Sequence, residues 1–183
     1  MVAMSDDREL ESILDRIMRR LRSQKKDKAE PAEARAVKHI NAKVPHGVYR
    51  FNREAGVWEP LPEDGKPLAL SEDGVYVVYF GNTKCPACRV YDTIWNLYID
   101  TVGRNLEDVT HYAVICGWFA GECNSEKAAL SFKQFDVRAS PTTLVVRVSG
   151  GSSVSMERLE GVVPQTKIVE AINKVRGTPS IGV

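Results

Sequence analysis

The chain has no apolar run near the roughly 20 residues that a membrane-spanning helix requires. It also has almost no net charge: 25 Lys and Arg against 24 Asp and Glu leave +1 at pH 7. That balance makes no whole-protein case for nucleic acid or for a membrane surface as a partner. Histidine is scarce, with three in 183 residues. His39 and His46 have no metal-ligand spacing to a cysteine, so both are read as surface residues and no metal site is expected. Residues 1–7 hold no cationic segment followed by an apolar one, so a cytoplasmic setting is expected. Cysteine is scarce too. Cys85, Cys88, Cys116 and Cys123 are too few to staple a chain of this length. Outside hyperthermophiles, cytosolic cysteines are more often catalytic or metal-binding than structural.

Against that background the sequence Cys85-Pro86-Ala87-Cys88 stands out. It follows a run that reads as a strand buried on both faces, residues 75–80 (Val-Tyr-Val-Val-Tyr-Phe). It precedes a stretch over 89–102 in which Tyr91, Ile94, Trp95, Tyr98 and Val102 recur at helical spacing, with Gly103 placed as a C-terminal cap. Two thiols two residues apart at a strand-to-helix junction point to dithiol–disulfide chemistry. Cys85 then falls at the helix cap, where free N–H groups and the dipole favour a thiolate, and Lys84 adds a cation next door. Both effects should lower the Cys85 pKa. Pro86 suits the first helical turn, because its missing N–H costs nothing there. Cys88 lies a turn deeper and should be less accessible. These positions make Cys85 the nucleophile that forms a mixed disulfide and Cys88 the thiol that resolves it. A zinc knuckle is the competing reading; Cys116 and Cys123 are too widely spaced to supply its second half.

Before this region the chain reads as two pieces. Residues 1–34 form an amphipathic helix, with Leu10, Ile13, Leu14, Ile17, Met18 and Leu21 on one stripe, and then a basic linker. The helix is a packing or docking element, open to a partner or a second copy, and the basic run is a solvated tether unless an acidic surface meets it. Residues 35–183 form the domain. Residues 36–44 suggest a short strand or a helix end. A hairpin over about 48–61 follows, with a loop of about five residues and with Pro60 and Pro62 confining its second arm to an edge.

Downstream come a strand over 110–116, a helix from about 124 or 125 and the run Ser140-Pro141-Thr142 before a strand over 143–148. A turn at Gly150-Gly151, a strand over 154–159, Gly161 and a helix over 166–175 complete the chain. From the dithiol to the final helix this order resembles the thioredoxin superfamily, over residues 74–176. The resemblance implies an α/β fold: a mixed four-stranded core sheet with helices on both faces, here preceded by the N-terminal helix and the hairpin. It implies that Pro141 is cis and lies against the dithiol. It also implies that Ser140, with Pro141 and Thr142, joins Pro86 and Ala87 in binding an extended substrate segment. The pattern departs from thioredoxins proper in three places. Lys84 replaces the Trp before the first cysteine, Pro-Ala separates the thiols, and Tyr79 stands where a buried Asp would accept the proton of the second thiol. Cys88 must therefore be activated otherwise, by water or by Glu or Lys side chains.

Cys116 and Cys123 flank Gly117-Trp118-Phe119-Ala120-Gly121-Glu122. A structural disulfide, two reduced cysteines and a second redox relay all fit that spacing. The expected function is a thiol–disulfide oxidoreductase with no bound cofactor, acting on disulfide-containing proteins. Its electrons would come from a thioredoxin-reductase-like or other dithiol donor. A binding adaptor with little turnover, a glutaredoxin-like variant and an oxidase or isomerase are the alternatives.

Overall fold

The computed structural model describes residues 35–177. The N-terminal amphipathic helix and basic linker lie outside the described residues. In chain order the elements are β1 (Gly47–Asn52), β2 (Val57–Pro60), β3 (Gly74–Asn82), α1 (Pro86–Thr101), a 3-10 turn at Gly103–Asn105, β4 (Val109–Cys116), α2 (Glu126–Gln134), β5 (Thr142–Ser149), β6 (Ser152–Glu160) and α3 (Gln165–Gly177). No described helix is long and apolar enough to cross a membrane.

β3 is the spine. It runs parallel to β4 and antiparallel to β5, so both of its edges are bonded and both of its faces are covered. Its side chains alternate. Val75, Val77 and Tyr79 enter one apolar cluster with Tyr91, Trp95 and Tyr98 of α1 and Ile168, Ile172 and Val175 of α3. Tyr76, Val78 and Phe80 enter the other with Ala128 and Phe132 of α2. Continuous apolar sequence here reflects burial on both faces. The parallel β3–β4 pair requires a long crossover, and α1 supplies it.

The sheet has six strands, in the order β2-β1-β4-β3-β5-β6. The expected four-stranded core, β4-β3-β5-β6, is widened by the hairpin, because β1 pairs antiparallel with β4, Val48 opposite Val114. β2 is one of the two edge strands and ends at Pro60, where an absent N–H leaves no ladder bond unmade. The loop between β1 and β2 has four residues, 53–56, rather than five. Residues 36–44 form neither a strand nor a helix. Val37 makes one isolated bridge to Trp58, while Ile40 and Val44 are buried in the α1-side cluster.

The β5–β6 turn uses Gly150 and Gly151 at φ of 61° and 74°, the left-handed conformation that tight hairpins demand. Gly103 is not the left-handed cap that its position suggested. Val102 caps α1, and Gly103 packs closely: a Cβ there would lie 3.1 Å from Ile99 Cδ1 and 3.2 Å from His111 Nε2. His111 is buried, and its Nε2 is 2.9 Å from the Tyr98 hydroxyl. Burial, with Arg53 adding to it, lowers its pKa to about 3, so it stays neutral.

Trp95 joins these parts. It is fully buried, with ring centroids 5.9 Å from Trp58, 5.3 Å from Tyr79 and 5.6 Å from Tyr98. Trp95→Ala is expected to lower unfolding free energy by about 3–5 kcal/mol, read as a fall in the urea midpoint at unchanged slope.

Candidate active site

β3 ends at Asn82, and the chain reaches Cys85 within three residues. Three bonds hold that short connection. The Thr83 N–H donates to the Cys116 carbonyl at 2.8 Å, the Lys84 N–H to the Gly117 carbonyl at 3.2 Å, and the Cys85 N–H to the Asn82 carbonyl at 3.2 Å. Arg89 reaches back from α1 to the carbonyls of Thr83 and Asn82. The dithiol therefore sits at the C-terminal end of a central strand, pinned from both sides.

Cys85 is the N-cap of α1, and Pro86 takes the first helical position. The Cys88 N–H, one of the helix's unpaired donors, points at the Cys85 sulfur from 3.4 Å. The Cys85 thiol faces the Ser140 carbonyl at 3.5 Å. Burial pushes the Cys85 pKa up, but hydrogen bonds from Cys88, Ser140 and Ala87 outweigh it and leave the thiol below its ordinary value. Cys88 is fully buried. Its sulfur accepts the Asn82 N–H at 3.4 Å and lies 3.0 Å from Ser140 Oγ. Burial and the neighbouring Cys85 raise its pKa to about 11. The two thiols are thus separated in character: one capping the helix and acidified, one enclosed and basic.

The Ser140–Pro141 peptide bond is cis. Ser140 touches both sulfurs, through its carbonyl and through its hydroxyl, a side-chain contact beyond the backbone role expected of it. Pro86 is exposed and Ala87 half-buried beside Cys85. Thr142 differs from expectation. It is fully buried, its hydroxyl bonds the Ala139 carbonyl at 2.9 Å, and it offers no side chain to a substrate.

Lys84 also differs. Its ammonium pairs with Glu122, so its charge is spent across the rim rather than on Cys85, whose shift comes from hydrogen bonds. Cys116 and Cys123 are joined by a disulfide with Cα atoms 4.7 Å apart. The bond sets aside two reduced cysteines and fits both a structural disulfide and a second redox relay. It closes a loop in which Trp118 is 44% exposed, while Phe119 packs on the α2 side of the sheet. Asn82 fixes this loop as well, because its Oδ1 accepts the Phe119 N–H at 2.7 Å. His46 is not the plain surface residue expected. It is half-buried, its Nδ1 accepts the Asn124 N–H at 3.0 Å, and burial, helped by Lys84, lowers its pKa. His39 is partly exposed and bonds Asp100 at 3.0 Å.

Tyr79 and Asp92 complete the site's inner wall. The Tyr79 hydroxyl donates to Asp92 Oδ1 at 2.8 Å, and Asp92 Oδ2 is 3.4 Å from Arg89 Nε. Burial raises the Asp92 pKa, against the opposing pull of Tyr79 and Arg89. Among the described residues no group of three or more His, Cys, Asp or Glu is placed to hold a metal ion.

Solved structures share this architecture. One is a thioredoxin from Aeropyrum pernix, 18% identical, with 73% of this chain and 98% of that one covered and a TM-score of 0.51. The described chain has the thioredoxin fold. Looser matches are thioredoxin f2 of Chlamydomonas reinhardtii (20% identical, 61% and 88% covered, TM-score 0.42) and a thioredoxin of Trichomonas vaginalis (20% identical, 55% and 78% covered, TM-score 0.42). No protein-family model matches the chain. No curated protein matches it either. Within the thioredoxin fold, the β1–β2 hairpin enlarges the sheet beyond the four-stranded core.

The difference between the thiols is open to titration. Iodoacetamide should modify Cys85 as pH rises through a value below that of an ordinary thiol, and Cys88 only as pH approaches about 11. Ser140→Ala removes a hydroxyl that lowers both thiols and should move both midpoints upward. Mass-resolved alkylation across pH reads both.

Proposed function

We propose that this chain is a thiol–disulfide oxidoreductase that reduces disulfides in other proteins. The observation that carries this reading is the pairing of an acidified thiol at a helix N-terminus with a buried, more basic thiol one turn away. The Cys85 thiolate attacks a substrate disulfide. One substrate sulfur leaves as a thiolate, and the other stays bonded to Cys85. The Cys88 sulfur then bonds to Cys85, and the second substrate sulfur departs with the electron pair. The substrate gains two electrons and the dithiol loses two. A thioredoxin-reductase-like enzyme or another dithiol protein returns them.

The geometry supports each role. Cys85 faces Ser140 and the cis Pro141, where an extended substrate segment adds its backbone to the exposed edge of the site. Trp118 at the rim offers an apolar contact to the same segment. High basicity makes Cys88 a strong nucleophile once deprotonated, since thiolate nucleophilicity rises with pKa. The setting proposed is cytoplasmic.

Reduction of insulin disulfides, with dithiothreitol as electron source, tests the roles together. Cys85→Ser should abolish turnover. Cys88→Ser should accumulate a mixed disulfide between Cys85 and the substrate, visible as a mass increase that dithiothreitol removes. Reduction that persists in Cys85→Ser would refute the reading.

A further inference from the structure

Cys88 has to lose a proton before it attacks Cys85, and water does not reach it: the residue has no exposed surface. What surrounds the sulfur therefore decides where the proton goes. The Asn82 N–H is a donor only. The Ser140 hydroxyl lies at 3.0 Å and does not ionise in the accessible pH range. The Tyr79 hydroxyl lies over Gly81, beside the Asn82 N–H that donates to the sulfur, and it alone of the three is bonded onward to a base.

That base is Asp92, the one buried carboxylate among the described residues. Asp92 follows Cys88 by four residues on α1, so both project from the same buried face, one turn apart. Tyr79 enters from β3 and closes the gap, with its hydroxyl 2.8 Å from Asp92 Oδ1. Gly81 makes room for it: a Cβ there would lie 2.6 Å from the Tyr79 hydroxyl oxygen. The ring of Tyr79 is clamped by Tyr91 and Trp95, at centroid distances of 5.2 and 5.3 Å. The other ionisable or charged groups at this point are Cys85 beside Cys88, Arg89 on Asp92, and Tyr91, whose hydroxyl is 2.7 Å from Thr143 Oγ1 on β5.

We infer that Tyr79 and Asp92 form a proton relay that deprotonates Cys88 during resolution of the mixed disulfide. The inference rests on the oxidoreductase reading and names the base that reading leaves open. The thiol proton of Cys88 passes to the Tyr79 oxygen as the Tyr79 proton passes to Asp92 Oδ1. Tyr79 stays neutral throughout. The Cys88 sulfur bonds to the Cys85 sulfur, the bond from Cys85 to the substrate sulfur breaks, and that sulfur leaves as a thiolate. The proton now on Asp92 goes to water at the Arg89 edge, since Asp92 keeps 7% of its surface exposed. Burial holds Asp92 above the usual carboxylate range, which brings it nearer to a thiol as a proton acceptor. Tyr79 takes the thiol proton, whereas Asp92 acts through Tyr79 and is a positioning residue.

The test is stopped-flow reaction of the reduced dithiol, in the full chain, with one equivalent of 5,5′-dithiobis(2-nitrobenzoate). The first thionitrobenzoate released reports attack by Cys85. The second reports resolution by Cys88. Tyr79→Phe and Asp92→Asn should keep the first phase and slow the second by about 100-fold near neutral pH, the low end of general-base effects. The loss should shrink as pH rises toward the pKa of Cys88 itself. The double variant should be no slower than the slower single variant. A second phase with unchanged rate and pH profile in Asp92→Asn overturns the relay and leaves the oxidoreductase reading standing. Equal slowing of both phases with a lowered melting temperature assigns the pair a structural role and overturns the relay too. No release at all from the unaltered chain overturns the oxidoreductase reading and the relay with it.

Discussion

The first N–H groups of α1 have no carbonyl to bond within the helix, and a sulfur is placed where a capping oxygen would otherwise sit. The rest of the site follows from that substitution. A thiol at the N-cap gains its hydrogen bond most fully as a thiolate, so capping the helix and activating the nucleophile are one interaction. The arrangement holds only if the helix begins where it does. Pro86 fixes the start. The bonds from residues 83–85 to β3 and to the Cys116–Cys123 loop fix the approach.

The fold then separates two thiols that are nearly adjacent in sequence. One turn of helix carries Cys88 from the rim into the space between α1 and β3, where burial makes it hard to ionise. The same turn carries Asp92 into that space, and β3 brings Tyr79 to meet it. Burial of a carboxylate without partners is expensive, so Tyr79 and Arg89 offset the cost that Asp92 imposes on the fold. Replacing a buried ion pair by apolar residues is often neutral or stabilising, so packing alone gives little reason for a carboxylate at position 92.

Much of this was legible in the sequence. The dithiol at a strand-to-helix junction, the buried face of α1 and the Gly150-Gly151 turn each carry a local signal that needs no tertiary knowledge. The place of Pro141 came from order along the chain and from resemblance to a family. What was not legible depends on contacts between distant segments. The hairpin's pairing with β4 is set by a sheet edge that no local pattern names. Lys84 lies next to Cys85 in sequence but pairs with Glu122 in space. Gly103 looks like a helix cap, yet its place is a close packing against Ile99 and His111. Asp92 shares the buried side of α1 with its apolar stripe; the spacing Cys88 to Asp92 is the available signal, and Tyr79 is hidden in a continuous apolar strand.

The central claim is that Cys85 and Cys88 form a reversible disulfide. The most direct test is mass-resolved thiol trapping of the protein across a graded dithiothreitol redox buffer. The account predicts one two-electron transition that interconverts the Cys85–Cys88 dithiol and disulfide, with Cys116 and Cys123 bonded to each other at the poise where it occurs. A chain in which Cys85 and Cys88 remain thiols at every poise would contradict it.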